Sequence, residues 1–465
     1  MQKPNILLFL MDDLGWKDLG CYGSSFYETP NLDRLAAEGM LFTDAYASCP
    51  VCSPTRASIL SGKYPAHVGV TQFIGGHAVG KLSDVPYFHC LPQSERSLAT
   101  ALKEDAGYQT WHVGKWHLGG GLSLPERHGF DINIAGSDWG HPLRGYFSPY
   151  QMPKLKDGPE GEYLTDRITD EAIQLLDRAA SEKEAKPFFL NFWHYAVHTP
   201  IEAPKNLVEK YKAKAKDLGL DQIDPIERGE HFSCDHKKDQ YIERRQIQSD
   251  PGYAAMVENM DTNIGRLLAT LERNGQADNT IVIFTSDNGG LATSETSPTS
   301  NAPLAEGKGW MYEGGTREPL LVRWPGQIKP GSRCVEPTTS PDLFPTLLEI
   351  AGAPPQPPTR IDGKSITPLF KGEAFERGPI FWHYPHYSNQ GGCPGCSVRE
   401  GDYKLIEFFE DDSLELYNLR DDISETKNLS TERPELTQEL KRKLDAWKTE
   451  VKALIPEPNP NWKAN

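Results

Sequence analysis

The chain has 465 residues, with 65 acidic against 49 basic side chains and a net charge of −16. That length can bury a large α/β core and still carry a smaller second domain, while the acidic balance excludes an extended basic surface for nucleic acid or a polyanion. Positive charge for an anionic substrate must therefore be local to a cleft. No apolar run reaches the ~18 residues of a spanning helix, and the opening MQKPNILLFL lacks a signal-peptide layout. As it stands the sequence reads as cytoplasmic, or as periplasmic or secreted if a targeting segment has been removed. Its eight cysteines are scattered apart from Cys49/Cys52 and Cys393/Cys396, a pattern that predicts free thiols over a disulfide framework.

Ile6 to Met11 is wholly apolar, the pattern of a strand buried on both faces of a parallel sheet, and it ends in Asp12-Asp13. Thr29-Pro30 starts a helix that runs to Gly39, and Leu41 to Ala47 reads as a strand. Cys49 to His67, CPVCSPTRASILSGKYPAH, predicts a helix with Ser53 as N-cap, Pro54 at the first position and Gly62 at its end. Cys52 then faces the partial positive charge of a helix N-terminus, which attracts anions and lowers a thiol pKa, and Arg56 lies one turn inside. The alternatives for Cys49-x-x-Cys52 are a redox pair or two small buried hydrophobes.

Ser94 to Ala106 is an amphipathic helix closed by Gly107, and Gln109 to Gly114 a strand from which Lys115-Trp116-His117 hangs, Lys115 and His117 sharing a face if strand geometry persists. A helix from Thr165 to Ser181 and a strand from Phe188 to Tyr195 lead to His198-Thr199-Pro200. The charge-rich stretch from Lys205 to Asp250 reads as an inserted loop or lid. Gly252 to Leu271 is again helical, and Thr280 to Thr285 is a second buried strand, running into Asp287-Asn288. After Lys308 come a strand at Leu320 to Trp324, a helix at Pro341 to Ala351 and the prolines from Pro354 to Pro358. Strands at Ile380 to His383, Tyr403 to Phe409 and Leu414 to Tyr417, then a helix from Pro434, predict an antiparallel sheet with a helix on one face. The domain boundary falls near Lys371, giving 1–371 and 372–465.

Asp12, Asp13, Asp287 and Asn288 end two apolar strands that parallel winding places side by side. Four hard oxygen donors with no Cys/His cluster select calcium or magnesium over zinc. The competing reading is helix capping by Asp12 and Asp287 and a plain turn at Asn288-Gly289.

Cys-x-Pro-x-Arg followed by Ser61-Gly62-Lys63-Tyr64-Pro65 resembles the signature of type I sulfatases, and Gly114-Lys115-Trp116-His117-Leu118-Gly119 and His198-Thr199-Pro200 resemble further motifs of that family. The resemblance implies an alkaline-phosphatase-like α/β fold with a mostly parallel central sheet flanked by helices, and a smaller C-terminal α+β domain. It implies conversion of Cys52 to formylglycine by a maturation enzyme, one calcium ion on Asp12, Asp13, Asp287 and Asn288, and hydrolysis of a sulfate ester. Arg56 would orient the side chain at position 52, and Lys115 and Lys308 would hold sulfate oxygens. His117 would take the proton that releases sulfate, and His198, helped by Lys308, would protonate the leaving alcohol.

The substrate expected from the resemblance is a sulfated saccharide, with galactose or N-acetylgalactosamine sulfate as the first choice. Asp138, Trp139, His141 and Arg144, with the stretch from His383 to Cys396, are the candidate sugar contacts; Trp139 as a core residue is the alternative. The Cys393-Pro-Gly-Cys396 segment is expected as a turn entering the cleft. His67 and His194 have no assigned role, and Asn428-Leu429-Ser430 is a glycosylation sequon by pattern only. Two rivals stand beside the sulfatase: a phosphodiesterase or phosphonate monoester hydrolase of the same superfamily, and a non-catalytic binder of sulfated glycans.

Overall fold

The computed structural model describes residues 3–182, 186–354 and 360–463, so the proline cluster after Pro354 lies outside the described residues. In chain order the strands are β1 (Asn5–Met11), β2 (Met40–Tyr46), β3 (Gln109–Gly114), β4 (Ile132–Ile134), β5 (Phe188–Trp193), β6 (Ile226–His231), β7 (Tyr241–Arg245), β8 (Thr280–Ser286), β9 (Arg317–Arg323), β10 (Ser332–Cys334), β11 (Thr338–Thr339), β12 (Ile380–Tyr384), β13 (Gly395–Glu400), β14 (Tyr403–Phe408) and β15 (Leu414–Asn418). The main sheet has the order β10-β2-β9-β8-β1-β5-β3-β4, with β11 also on β2. Among its described strands β9 alone runs against its neighbours.

β1 is apolar throughout because both of its faces are covered. Ile6, Leu8 and Leu10 pack with Ile281, Ile283 and Trp193 beneath the helices Cys52–Ser61, Leu98–Ala106 and Leu343–Ile350. Leu7, Phe9 and Met11 pack with Leu190, Phe192 and Phe284 beneath Leu164–Ser181 and Pro251–Arg273. Each such side chain removed from water contributes about 1.5–3 kcal/mol before entropy is subtracted. Met11 stands opposite Ser286 in the β1–β8 register, so Asp12-Asp13 and Asp287-Asn288 leave the sheet side by side at one edge.

The second sheet is antiparallel, in the order β12-β13-β14-β15. One face receives the helix Pro434–Glu450 through Leu440, Leu444 and Trp447, and the other packs Trp382, Tyr384 and Ile406 against Tyr46, Cys49 and Val51, just before the Cys52 helix. No helix among the described residues is long and apolar enough to cross a membrane.

Three expectations are corrected. The stretch from 205 to 250 forms a helix, Lys205–Asp217, and the β6–β7 hairpin. The helix buries only Tyr211 and Ala215 while Lys210 and Lys214 pair with Glu28, which left too few apolar residues to show a period. β13 was missed because glycine, cysteine and charge interrupt its pattern, yet it lies inside the sheet with Arg399 paired to Asp44. Cys234 and Cys393 form a disulfide between the hairpin and the approach to β13, whereas Cys49, Cys52 and Cys396 are free. The scattered spacing concealed a pair 159 residues apart.

Candidate active site

All ten residues of the helix Cys52–Ser61 are buried, since the main sheet lies on one side and the second sheet stands at its start. Val51, in extended conformation, occupies the cap position, Cys52 is the first helical residue, and Gly62 ends the helix at φ 70°. Ser53 is therefore not the cap. Its Oγ donates to the His117 carbonyl (2.9 Å) and accepts from the Ile74 amide (3.0 Å), tying the start of the helix to two other segments. Burial pushes the Cys52 thiol up to about 11, against the pull of Lys115 and Lys308. The helix N-terminus does not make a thiolate here, because desolvation of the charged form outweighs it.

Behind Cys52 lies a buried lattice of opposite charges. Lys115 Nζ donates to both oxygens of Asp12 (2.8 and 2.7 Å). Arg56 Nε donates to Asp287 Oδ2 (2.8 Å), with Nη2 2.7 Å from the same oxygen, while Nη1 donates to the Lys115 carbonyl (3.1 Å). Lys308 Nζ reaches Asp13 Oδ2 (2.8 Å) and His198 Nε2 (3.0 Å). Burial raises the Asp12 carboxyl well above the usual carboxylate range despite Lys115. Burial would raise Asp13 too, but the ammonium groups of Lys308 and then Lys115 hold it far below that range. Lys308 is raised, since Asp13 overcomes its desolvation, and stays an ammonium.

His198 is held neutral, its pKa pushed well down by burial and then by Lys308. Its Nδ1 is 2.9 Å from the Thr199 carbonyl and so carries the hydrogen, leaving Nε2 to accept from Lys308. His117 is likewise neutral, lowered by burial first and Lys115 second. Its Nε2–H donates to the Ile74 carbonyl (3.1 Å), which leaves Nδ1 a buried lone pair with no hydrogen-bond partner.

Cys52, His117, His198 and Lys308 open onto a cavity of about 330 Å³ that is also lined by Phe73, Ile74, Gly75, Asp138, Gly140, His141, Thr199, Glu295, Asn389 and Gln390. Lys115 and His117 are not on one strand face, because β3 ends at Gly114 (φ 102°) and His117 is left-handed (φ 54°). Lys115 instead turns to Asp12 and His117 to the cavity. Of the four candidate sugar contacts, Asp138 and His141 line the cavity, and His141 stacks on His198 with ring centroids 5.8 Å apart. Trp139 packs against the main core and Arg144 is exposed; neither lines the cavity. Sequence reasoning missed Phe73, Ile74 and Glu295, which sit in irregular loops without periodicity, while Thr199 lies in the His198-Thr199-Pro200 motif. Asn389 and Gln390 come from the stretch His383 to Cys396 offered as sugar contacts, whereas the Cys393-Pro-Gly-Cys396 segment expected as a turn entering the cleft does not line the cavity: Cys393 is tied to Cys234 and Gly395-Cys396 already belong to β13.

The acidic residues suit a hard divalent cation. Oxygens of Asp12 and Asp287 lie with Cys52 Sγ within 4.8 Å of one another, as do oxygens of Asp12 and Asp13 with a His198 ring nitrogen. Asn288 Oδ1 is buried at the same place with no hydrogen-bond partner, a polar atom that a bound cation would satisfy. Helix capping does not explain the four residues, for none of them caps a helix.

The family profile described as Sulfatase matches residues 4–353, and that described as N-sulphoglucosamine sulphohydrolase, C-terminal, matches residues 306–450. A sulfatase of Formosa agariphila is 34% identical, over 96% of this chain and 89% of its own. The human N-acetylgalactosamine-6-sulfatase is 36% identical, over 82% of this chain and 68% of its own. The crystal structure of Ps i-CgsB in complex with k-i-k-neocarrahexaose superposes with a TM-score of 0.76 at 27% identity, covering all of this chain and 95% of the other. With the cavity around Cys52 at the edge of a mostly parallel sheet, these likenesses place the chain in the sulfatase family of sulfuric ester hydrolases, on the alkaline-phosphatase-like fold.

Proposed function

We propose that the chain removes sulfate from a sulfated saccharide, acting from the chain end on a galactose or N-acetylgalactosamine unit, with formylglycine made from Cys52 by a maturation enzyme. The observation that carries this reading is the position of Cys52 on the cavity wall beside Lys308, His117 and His198, with four oxygen-bearing side chains behind it. The human relative's name, N-acetylgalactosamine-6-sulfatase, supports the sugar class.

Residues 1–371 form the catalytic domain in this reading, and 372–465 a subdomain that lends the cavity Asn389 and Gln390. Asp12, Asp13, Asp287 and Asn288 would hold one calcium ion, whose charge would neutralise sulfate oxygens. A formylglycine at position 52 would supply a hydrated aldehyde as nucleophile, with a second hydroxyl to release the product. Lys308 holds sulfate oxygens from the cavity wall, Lys115, turned to Asp12, adds positive charge behind them, and Arg56, fixed on Asp287, orients the side chain at 52. The unpartnered Nδ1 of His117 accepts the hydroxyl proton. The Lys308–His198 pair shares a proton at Nε2 and delivers it to the departing sugar oxygen, which a poor alkoxide leaving group requires.

A superfamily phosphodiesterase is the rival for which the assay must be designed. Protein carrying converted Cys52 is expected to hydrolyse aryl sulfate at least tenfold faster than aryl phosphodiester, and to lose both activity and bound calcium in Asp287→Asn. A preference for the phosphodiester, or full activity after exhaustive chelation in that variant, refutes the reading.

A further inference from the structure

Glu295 lies on the rim of the cavity that contains Cys52. It belongs to a segment with three consecutive non-glycine residues in the left-handed region, Glu295 (φ 50°), Thr296 (φ 77°) and Ser297 (φ 41°). Such a run is costly and persists only where the surroundings impose it. Arg245 imposes it here, its side chain donating to the Ser297 carbonyl and its amide to that of Ala292 (2.9 Å).

The carboxylate is aimed as well as held. Glu295 Oε1 accepts from Asn389 Nδ2 (2.7 Å) and Gln390 Nε2 (2.6 Å). Those two residues are themselves fixed: the Gln390 carbonyl accepts from Trp310 Nε1 (3.1 Å) and that of Asn389 from Lys237 Nζ (3.2 Å). With Oε1 doubly occupied, Oε2 has no hydrogen bond among the described residues and remains an acceptor at the cavity mouth. Nothing in this arrangement serves sulfate, which a carboxylate repels. A pre-positioned acceptor of negative charge reads what stands beside the sulfate.

We infer that Glu295 is a specificity-determining residue that accepts a hydrogen bond from a hydroxyl or amide N–H of the reacting sugar and repels a second anionic group, selecting units that carry a single sulfate. This rests on the saccharide reading above. An acceptor-only oxygen at that place bonds the donors of a neutral ring face, and like charges a few ångströms apart at a partly solvated rim change selectivity by about tenfold.

The test compares kcat/KM for a monosulfated hexosamine with that for the same sugar bearing a second sulfate on the neighbouring carbon. Wild type, Glu295→Gln and Glu295→Ala are each normalised to aryl sulfate turnover of the same preparation, which corrects for formylglycine content. Wild type is expected to favour the monosulfated sugar at least tenfold. In Glu295→Gln that ratio should fall about tenfold through a gain on the disulfated sugar, and Glu295→Ala should also lose turnover of the monosulfated one. A ratio within twofold of wild type in Glu295→Gln, or a wild-type preference for the disulfated sugar, overturns the inference while aryl sulfate turnover leaves the sulfatase reading standing. Absence of sulfate release by converted wild type from every ester, the aryl sulfate included, overturns that reading and this inference together.

Discussion

His198 is a neutral imidazole whose Nε2 faces Lys308, and this fixes what its loss should look like. Replacing it with Ala should lower kcat/KM about 10²–10⁴-fold on a sugar sulfate, and much less on a nitrophenyl sulfate whose leaving group needs no proton. Equal losses on both would mean that His198 only positions Lys308. His194 titrates outside the chemistry. Burial pushes it down to about 3, and neither ring nitrogen has a partner. Such a histidine resists protonation when folded and takes a proton freely once unfolded, so its contribution is intact above about 6.5 and is lost as pH falls below that. Urea titrations should show wild type losing about 2 kcal/mol more than His194→Phe between pH 7.5 and pH 5. Equal losses would show His194 to be charged or solvated in the fold. At this scale the motifs were legible because Cys52, Arg56, Lys115 and Asp287 are invested in a spacing the sequence displays. The raised thiol of Cys52 was not, since desolvation depends on the two sheets that enclose it, remote in sequence.

Among the elements, β3 carries the most delicate junction. Gly114 ends it at φ 102°, and a Cβ there would stand 1.8 Å from the Trp193 carbonyl on the neighbouring strand. That carbonyl accepts from the Lys115 amide (2.8 Å), so any retreat of the backbone also moves the ammonium held by Asp12. Gly114→Ala should destabilise the protein by about 2 kcal/mol or more through the left-handed penalty and the clash, and lower turnover in the molecules that remain folded. Thermal melts and turnover measured together check this; an unchanged melting temperature would refute the close approach. The buried strands β1, β5 and β8 were legible because continuous apolar runs have few alternatives. The hairpin β6–β7 and strand β13 were not, because the first is largely exposed and the second spends Arg399 on an ion pair.

For the whole molecule, the second sheet is locked to the first by buried charge as well as by packing. Lys404 Nζ lies 2.9 Å from Glu313 Oε1 and 3.0 Å from Glu425 Oε1, with all three side chains fully buried. Glu313 also holds Arg317, which pairs with Asp44 beside the Arg399 of β13. Removing one member of such a set leaves uncompensated buried charge, so Lys404→Met should cost about 3–5 kcal/mol, seen as a lower denaturant midpoint in one cooperative transition common to both sheets. A separate early transition of the second sheet would show that the two do not stand or fall together. The second, antiparallel sheet was legible from the change to short strands after 371, but the lock was not, because Glu313 lies 91 residues from Lys404 and 112 from Glu425 and each looks like a surface charge. The central claim concerns position 52. Inorganic sulfate released from a monosulfated galactosamine should be measured for wild type and Cys52→Ala, both produced with a formylglycine-generating enzyme, after the mass of the Cys52 peptide has shown conversion. Sustained release by wild type and a loss of at least a thousandfold in Cys52→Ala, with its melting temperature retained, is the predicted result; a variant that keeps a tenth of wild-type turnover would contradict it.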